Sequence, residues 1–130
     1  MQIKEDINKY IFRGYDIRGV FDKDIDIDTA YTIGLGFGSK LYDLGKNTCV
    51  VGHDNRLSSP DLHQALIQGL IETGINVVDL GLCTTPMYYF ACQDLKIDSG
   101  IMITASHNPK DENGFKFAFS NYQNAKGKEI

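Results

Sequence analysis

The sequence predicts an α/β fold, a three-layer α/β/α domain on a mixed, mostly parallel sheet, and two features of its patterning lead there. Apolar runs over residues 48–52 and 100–103, and a further strand-like stretch over 76–80, alternate with longer segments whose apolar residues recur every three or four positions. Runs that are apolar throughout read as strands buried on both faces, so helices must cover the sheet on both sides. The final run, Phe115-Lys116-Phe117-Ala118-Phe119, instead alternates with a period of two and is expected to be antiparallel. At 130 residues the chain is long enough for one such domain and one core.

Taken in order, Ile3, Ile7 and Tyr10 fall at helical spacing, which suits one or two turns of helix or a packed arm. Ile11-Phe12-Arg13 reads as a short strand entering Gly14-Tyr15-Asp16-Ile17-Arg18-Gly19, a tight loop bracketed by two glycines. The carboxylates of residues 22–28 alternate as metal ligands can, but no apolar strand leads in and no glycine supplies a coordinating turn. We read this run as a solvated approach to a helix, with Asp28 as its N-cap. That helix spans 29–44 on Ala30, Ile33, Phe37, Leu41 and Leu44, and Gly45 stops it. Gly34, Gly36 and Gly38 lack dinucleotide-binding spacing and are expected where the helix closely approaches the sheet.

The strand over 48–52 runs into His53-Asp54-Asn55-Arg56, and Ser59 is placed as N-cap with Pro60 at the first helical position. Leu62, Leu66, Leu70 and Thr73 mark this second helix, which Gly74 ends. After the strand over 76–80, Thr84 or Thr85 caps a short helix starting at Pro86. The chain returns to the sheet over 98–103, Asn108-Pro109 forbids continuation, and Asn113-Gly114 marks a turn before the last strand. Residues 120–130 are polar, with Tyr122 the sole core candidate.

Net charge is −4 and the 13 lysines and arginines are scattered, so there is no electrostatic footprint for nucleic acid. The first six residues lack the apolar core of a signal peptide, and no apolar run reaches membrane-spanning length; a cytoplasmic location is expected. Three cysteines, Cys49, Cys83 and Cys92, show no paired metal spacing and read as reduced, with Cys49 a small core residue.

Chemistry concentrates at Thr104-Ala105-Ser106-His107-Asn108-Pro109, a loop at the carboxyl end of a central strand, the edge where open α/β sheets bind ligands. Serine is a weak nucleophile unless activated. His107 as its base is disfavoured, because adjacent loop residues seldom align imidazole with hydroxyl and the Gly-x-Ser-x-Gly elbow is absent. The alternative is a phosphorylated serine, whose charge calls for cations nearby; Arg18, His107 and Lys116 are this chain's candidates. Each also has a bland reading. Arg13 and Arg18 can pair with neighbouring aspartates, Lys116 can point to solvent opposite Phe115 and Phe117, and His53 can be satisfied by Asp54 or backbone. Arg56 is expected to brace the loop or a neighbouring domain rather than touch a substrate.

The nucleophile loop, with Asn113-Gly114-Phe115-Lys116 behind it, resembles the phosphoserine loop of the α-D-phosphohexomutases, the family of phosphoglucomutase and phosphomannomutase. Phe12-Arg13-Gly14-Tyr15-Asp16-Ile17-Arg18-Gly19, Val51-Gly52-His53-Asp54-Asn55-Arg56-Leu57-Ser58-Ser59 and Gly81-Leu82-Cys83-Thr84-Thr85-Pro86 resemble its other amino-terminal signatures, in the family's order. The resemblance implies that Ser106 is the phosphoserine that interconverts hexose 1-phosphate and hexose 6-phosphate through a bisphosphate. It implies that Arg18 stabilises the transferring group, that Tyr15 lines the cleft, and that Lys116 and His107 handle the sugar hydroxyl proton. It further implies Mg²⁺ touching this chain through a phosphate oxygen on Ser106, and hexose 1,6-bisphosphate as activator. The implied partners are glucose or mannose phosphates and the remaining domains of a parent chain, with neither nucleic acid nor membrane. The family's Asp-Gly-Asp-x-Asp-Arg metal loop, its Gly-Glu-x-Ser-Gly sugar loop and its carboxy-terminal phosphate clamp do not occur here. Residues 1–130 are therefore expected to be the first of four domains, holding the nucleophile but inactive alone. A non-catalytic sugar-phosphate-binding or assembly module of the same fold is the alternative.

Overall fold

In the computed structural model, which describes residues 1–7, 17–105, 109, 111–120 and 123–124, strands and helices alternate along the chain. They run β1 (Ile17–Val20), α1 (Ile27–Asp43), β2 (Thr48–His53), α2 (Ser59–Glu72), β3 (Asn76–Leu82), α3 (Thr85–Leu95), β4 (Gly100–Ile103), β5 (Glu112–Ser120) and β6 (Gln123–Asn124). One sheet holds them in the order β1-β5-β4-β2-β3, with β6 paired to β5. β2 is parallel to both β3 and β4, whereas β5 is antiparallel to β4 and to β1. By direction β1, β2, β3 and β4 run together and β5 opposes them, the mixed sheet the patterning predicts.

The pleat sends alternate residues to opposite faces, and the two faces are covered separately. Ile17, Val51, Ile101, Ile103, Phe115 and Phe117 pack under α1 and α2, on Ile33, Phe37, Leu41, Leu62, Leu66 and Leu70. Val50 and Met102 face the other way, against Tyr88 and Cys92 of α3. The three layers follow. Among the described residues no helix is long and apolar enough to cross a membrane.

Several local expectations are corrected. α1 starts two residues before position 29 because Asp26, not Asp28, caps it: Asp26 Oδ1 accepts from Thr29 N at 2.8 Å, and Thr29 Oγ1 accepts from Asp26 N at 3.2 Å, a reciprocal capping box. Of the two readings of the first residues, the packed arm is the one found over residues 1–7, with Lys4 N donating to Thr32 Oγ1 at 2.7 Å and no helical turn. The N-cap of α2 is Ser58 rather than Ser59 and makes no side-chain cap bond; its hydroxyl accepts from Asn113 Nδ2, and the Ser59 hydroxyl donates to Asp54 Oδ1. Thr84 is the cap of α3, accepting from Met87 N at 3.2 Å.

Of the glycines expected against the sheet, Gly34 and Gly38 meet α2 and its end instead, and Gly36 faces open space. A Cβ on Gly34 would strike the Leu66 carbonyl oxygen, and one on Gly69 would strike the Tyr31 carbonyl oxygen and lie 2.8 Å from Leu35 N. The backbones of α1 and α2 thus touch where they cross, and Tyr31 Oη closes the contact by donating to Glu72 Oε1 at 2.7 Å. Two readings as loop or turn also fail. Residues 17–19 belong to β1, and Asn113-Gly114 lies inside β5, where Arg18 pairs with Gly114 and Gly19 with Asn113. Ladder pairing and burial of Ile17 at 0% exposure outweigh the local turn preference of these glycines.

Candidate functional site

β2, β3 and β4 are parallel and end on one edge of the sheet, and β4 leads directly into the serine loop. Both ends of that loop are anchored by backbone bonds. Before it, Asp54 N donates to Ile103 O and Thr104 N to Gly114 O, each at 3.0 Å; after it, Glu112 N donates to Pro109 O at 3.0 Å and Phe21 N to Asp111 O at 2.9 Å. Thr104 and Ala105 are buried. Ser106 and His107 lie outside the described residues, as do Tyr15, Arg13 and the strand expected over 11–13.

The segment after β2 braces this loop. Arg56 Nη1 donates to Pro109 O at 2.7 Å and to Glu112 O at 3.2 Å. Its Nε pairs with Asp54 Oδ2 at 3.3 Å, so the carboxylate aims the guanidinium plane at the loop carbonyls. Asp54 Oδ1 meanwhile accepts from Arg56 N at 3.1 Å and from Ser59 Oγ at 2.6 Å. Asn113, fully buried, donates through Nδ2 to Ser58 Oγ at 2.8 Å and Ser59 Oγ at 2.9 Å. The bracing expected of Arg56 is present. The roles of Ser59 and Asn113 were missed, and the available signal was an asparagine beside glycine ahead of an apolar strand.

Arg18 and Lys116 come together through strand register. Ile17, Phe115 and Phe117 point toward α1 and α2, so Arg18 and Lys116 take the opposite face of adjacent strands. Arg18 pairs with Gly114, and Lys116 stands two residues further along β5 opposite Met102. That diagonal corresponds to roughly 7–8 Å between the two. Arg18 is 6% exposed, and its stem lies over Gly114, where a Cβ would come 2.9 Å from Arg18 Cδ. Lys116 is half-buried. Because β5 runs against β4, its first residues sit at the edge where the serine loop begins and ends.

His53 is satisfied as expected, with Nδ1–H donating to the Asp54 carbonyl at 2.8 Å. Its ring stands edge-on to His63 at 4.7 Å between centroids, and His63 Nε2 contacts Asp79 Oδ1 at 2.7 Å. Burial pushes up the thiol of Cys49, that of Cys83, and that of Cys92 to about 11. These are packing thiols rather than reactive ones. Among the described residues no group of three or more His, Cys, Asp or Glu side chains could hold a metal ion.

Residues 9–130 match the family model for phosphoglucomutase/phosphomannomutase, alpha/beta/alpha domain I. A phosphomannomutase/phosphoglucomutase of Pseudomonas aeruginosa is 49% identical over 106 residues, which cover 82% of this chain and 23% of that protein. A phosphoglucomutase of Neisseria gonorrhoeae is 46% identical over 110 residues, covering 85% of this chain and 24% of that protein. The crystal structure of a phosphoglucomutase/phosphomannomutase family protein from Burkholderia thailandensis superposes with a TM-score of 0.83 at 45% identity, over 87% of this chain and 26% of that one. The chain spans about a quarter of the length of the relatives it matches.

Proposed function

The chain belongs to the phosphoglucomutase/phosphomannomutase family, as its α/β/α domain I, and from that premise we propose that it is the amino-terminal catalytic domain of a phosphohexomutase. In this reading phosphoserine 106 transfers its phosphoryl group to the free hydroxyl of glucose or mannose 1-phosphate or 6-phosphate. The seryl P–O bond breaks as the bond to the sugar oxygen forms, and the hydroxyl proton passes to Lys116 or His107, which as general acid returns a proton to the freed Ser106 oxygen. The resulting hexose 1,6-bisphosphate turns in the cleft and returns its other phosphate to Ser106. The same bisphosphate recharges an enzyme whose serine is unphosphorylated.

The observation that carries the reading is the loop anchored at both ends on the carboxyl edge of β4, with Arg18 and Lys116 on one face beside it. Arg18 suits a transferring phosphoryl group, since its guanidinium is always charged and its stem is immobilised over Gly114. Tyr15 would line the cleft. Mg²⁺, when bound, supplies neutralisation of the phosphoryl charge. No cluster among the described residues would hold it; as the family resemblance implies, this chain's contact with the ion would be the phosphate oxygen on Ser106, with carboxylates of the remaining domains as the other ligands. For that reason the isolated domain should be inactive.

The test is turnover by the full-length parent with glucose 1-phosphate or mannose 1-phosphate, Mg²⁺ and a hexose bisphosphate primer, comparing wild type with Ser106→Ala. Loss of turnover in the variant supports the phosphoserine role, and the ratio of the two sugars identifies the substrate. Turnover indifferent to Ser106 would remove the reading.

A further inference from the structure

Resting on the phosphoserine reading of Ser106, we propose that Arg56 is a positioning residue for phosphoryl transfer, acting on the reactive loop through main-chain carbonyls rather than on the sugar phosphate. The segment 54–56 grips the loop at both ends. Asp54 N holds Ile103 O just before it, and Arg56 Nη1 holds Pro109 O and Glu112 O just after it. The guanidinium is oriented for this by Asp54 Oδ2, and both side chains are largely shielded, at 12% and 19% exposure. A charge already balanced by a carboxylate attracts a phosphate weakly, whereas its planar fork defines the direction of two carbonyls well.

The consequence concerns geometry at Ser106. The two grips lie on either side of the serine in sequence, so releasing the later one leaves the loop's end held only by backbone bonds, Glu112 N to Pro109 O and Phe21 N to Asp111 O. In-line transfer depends on alignment of donor oxygen, phosphorus and acceptor oxygen, and a displacement of about 1 Å costs on the order of 10²-fold in rate. Lysine at position 56 keeps a charge and donors but not the fork, so it should restore part of the effect.

The experiment uses the full-length parent with Arg56→Ala, Arg56→Lys and, as a control on the underlying reading, Ser106→Ala. Steady-state kinetics with glucose 1-phosphate are combined with amide hydrogen exchange at Thr104 and Glu112. The expected result for Arg56→Ala is a kcat lower by about 10²-fold, KM within a few-fold of wild type, and faster exchange at Glu112 than at Thr104. Arg56→Lys should fall between, and it carries the test if the alanine variant does not fold. An increase in KM at unchanged kcat would overturn the proposal in favour of substrate binding, and unchanged kcat with unchanged exchange would overturn it outright. Turnover that survives Ser106→Ala would instead overturn the phosphoserine reading, while the exchange at Glu112 still decides whether Arg56 holds the loop.

Discussion

Asn113 Nδ2 donates to Ser59 Oγ at 2.9 Å, with both residues at 0% exposure, and so joins the start of β5 to the start of α2. The Ser59 hydroxyl passes the connection on to Asp54 Oδ1, and Asn113 Oδ1 accepts from Gly114 N at 2.9 Å. A buried polar chain of this kind is costly to interrupt, because each group left behind has lost water as well as its partner.

Asn113→Ala should therefore destabilise the domain by about 1–3 kcal/mol, the desolvation cost of the groups it strands. Urea unfolding of the 130-residue chain measures this. A loss below about 0.5 kcal/mol, the range of ordinary surface substitutions, would mean that the network contributes little.

The α1–α2 crossing gives a second prediction with an internal control. Gly34→Ala and Gly69→Ala each drive a methyl group into the backbone of the other helix and should cost about 1–3 kcal/mol or more. Gly36, two positions along α1, faces open space, so Gly36→Ala should stabilise by about 0.5–1 kcal/mol through helix propensity alone. Equal effects at positions 34 and 36 in chemical denaturation would contradict the close approach.

Acid stability should report on Asp26. Burial by itself would raise its pKa, but hydrogen bonds from Thr29 N–H, from Lys4 and from the Thr29 hydroxyl outweigh it and hold the carboxyl below its ordinary value. A depressed folded-state pKa contributes stability that is present above the unfolded value, near pH 4, and is lost as pH falls through the lower folded value. Asp26→Ala should cost about 1 kcal/mol at pH 7 through loss of the cap, and the gap from wild type should close at pH values below about 4. A gap that stays constant from pH 7 to pH 2 in thermal unfolding would rule out the charged cap.

Much of the fold was legible because apolar runs and helical spacing report burial directly. The strands at 48, 76 and 100 and all three helices appear where the patterning puts them, since a run such as Cys49-Val50-Val51 has no stable solution except burial on two faces. Local signals misled where a long-range partner outbid them. Asn113-Gly114 has the composition of a turn but is drawn into β5 by pairing with β1, and the glycine is needed because a Cβ there would strike the Ile17 carbonyl oxygen and crowd Arg18 Cδ. Ser59 has the composition of a helix cap, but its hydroxyl is taken by Asp54 and Asn113.

The sequence by itself determined the fold class, the family, and the loop at which chemistry is to be sought, because these depend on residue type and spacing along the chain. Only the tertiary structure decided that Arg18 and Lys116 share one face beside that loop, that Arg56 reaches across to its carbonyls, and that Gly34 and Gly69 meet another helix rather than the sheet. The physical reason is that strand register and helix crossing are set by packing between segments tens of residues apart, a collective property that no local pattern encodes.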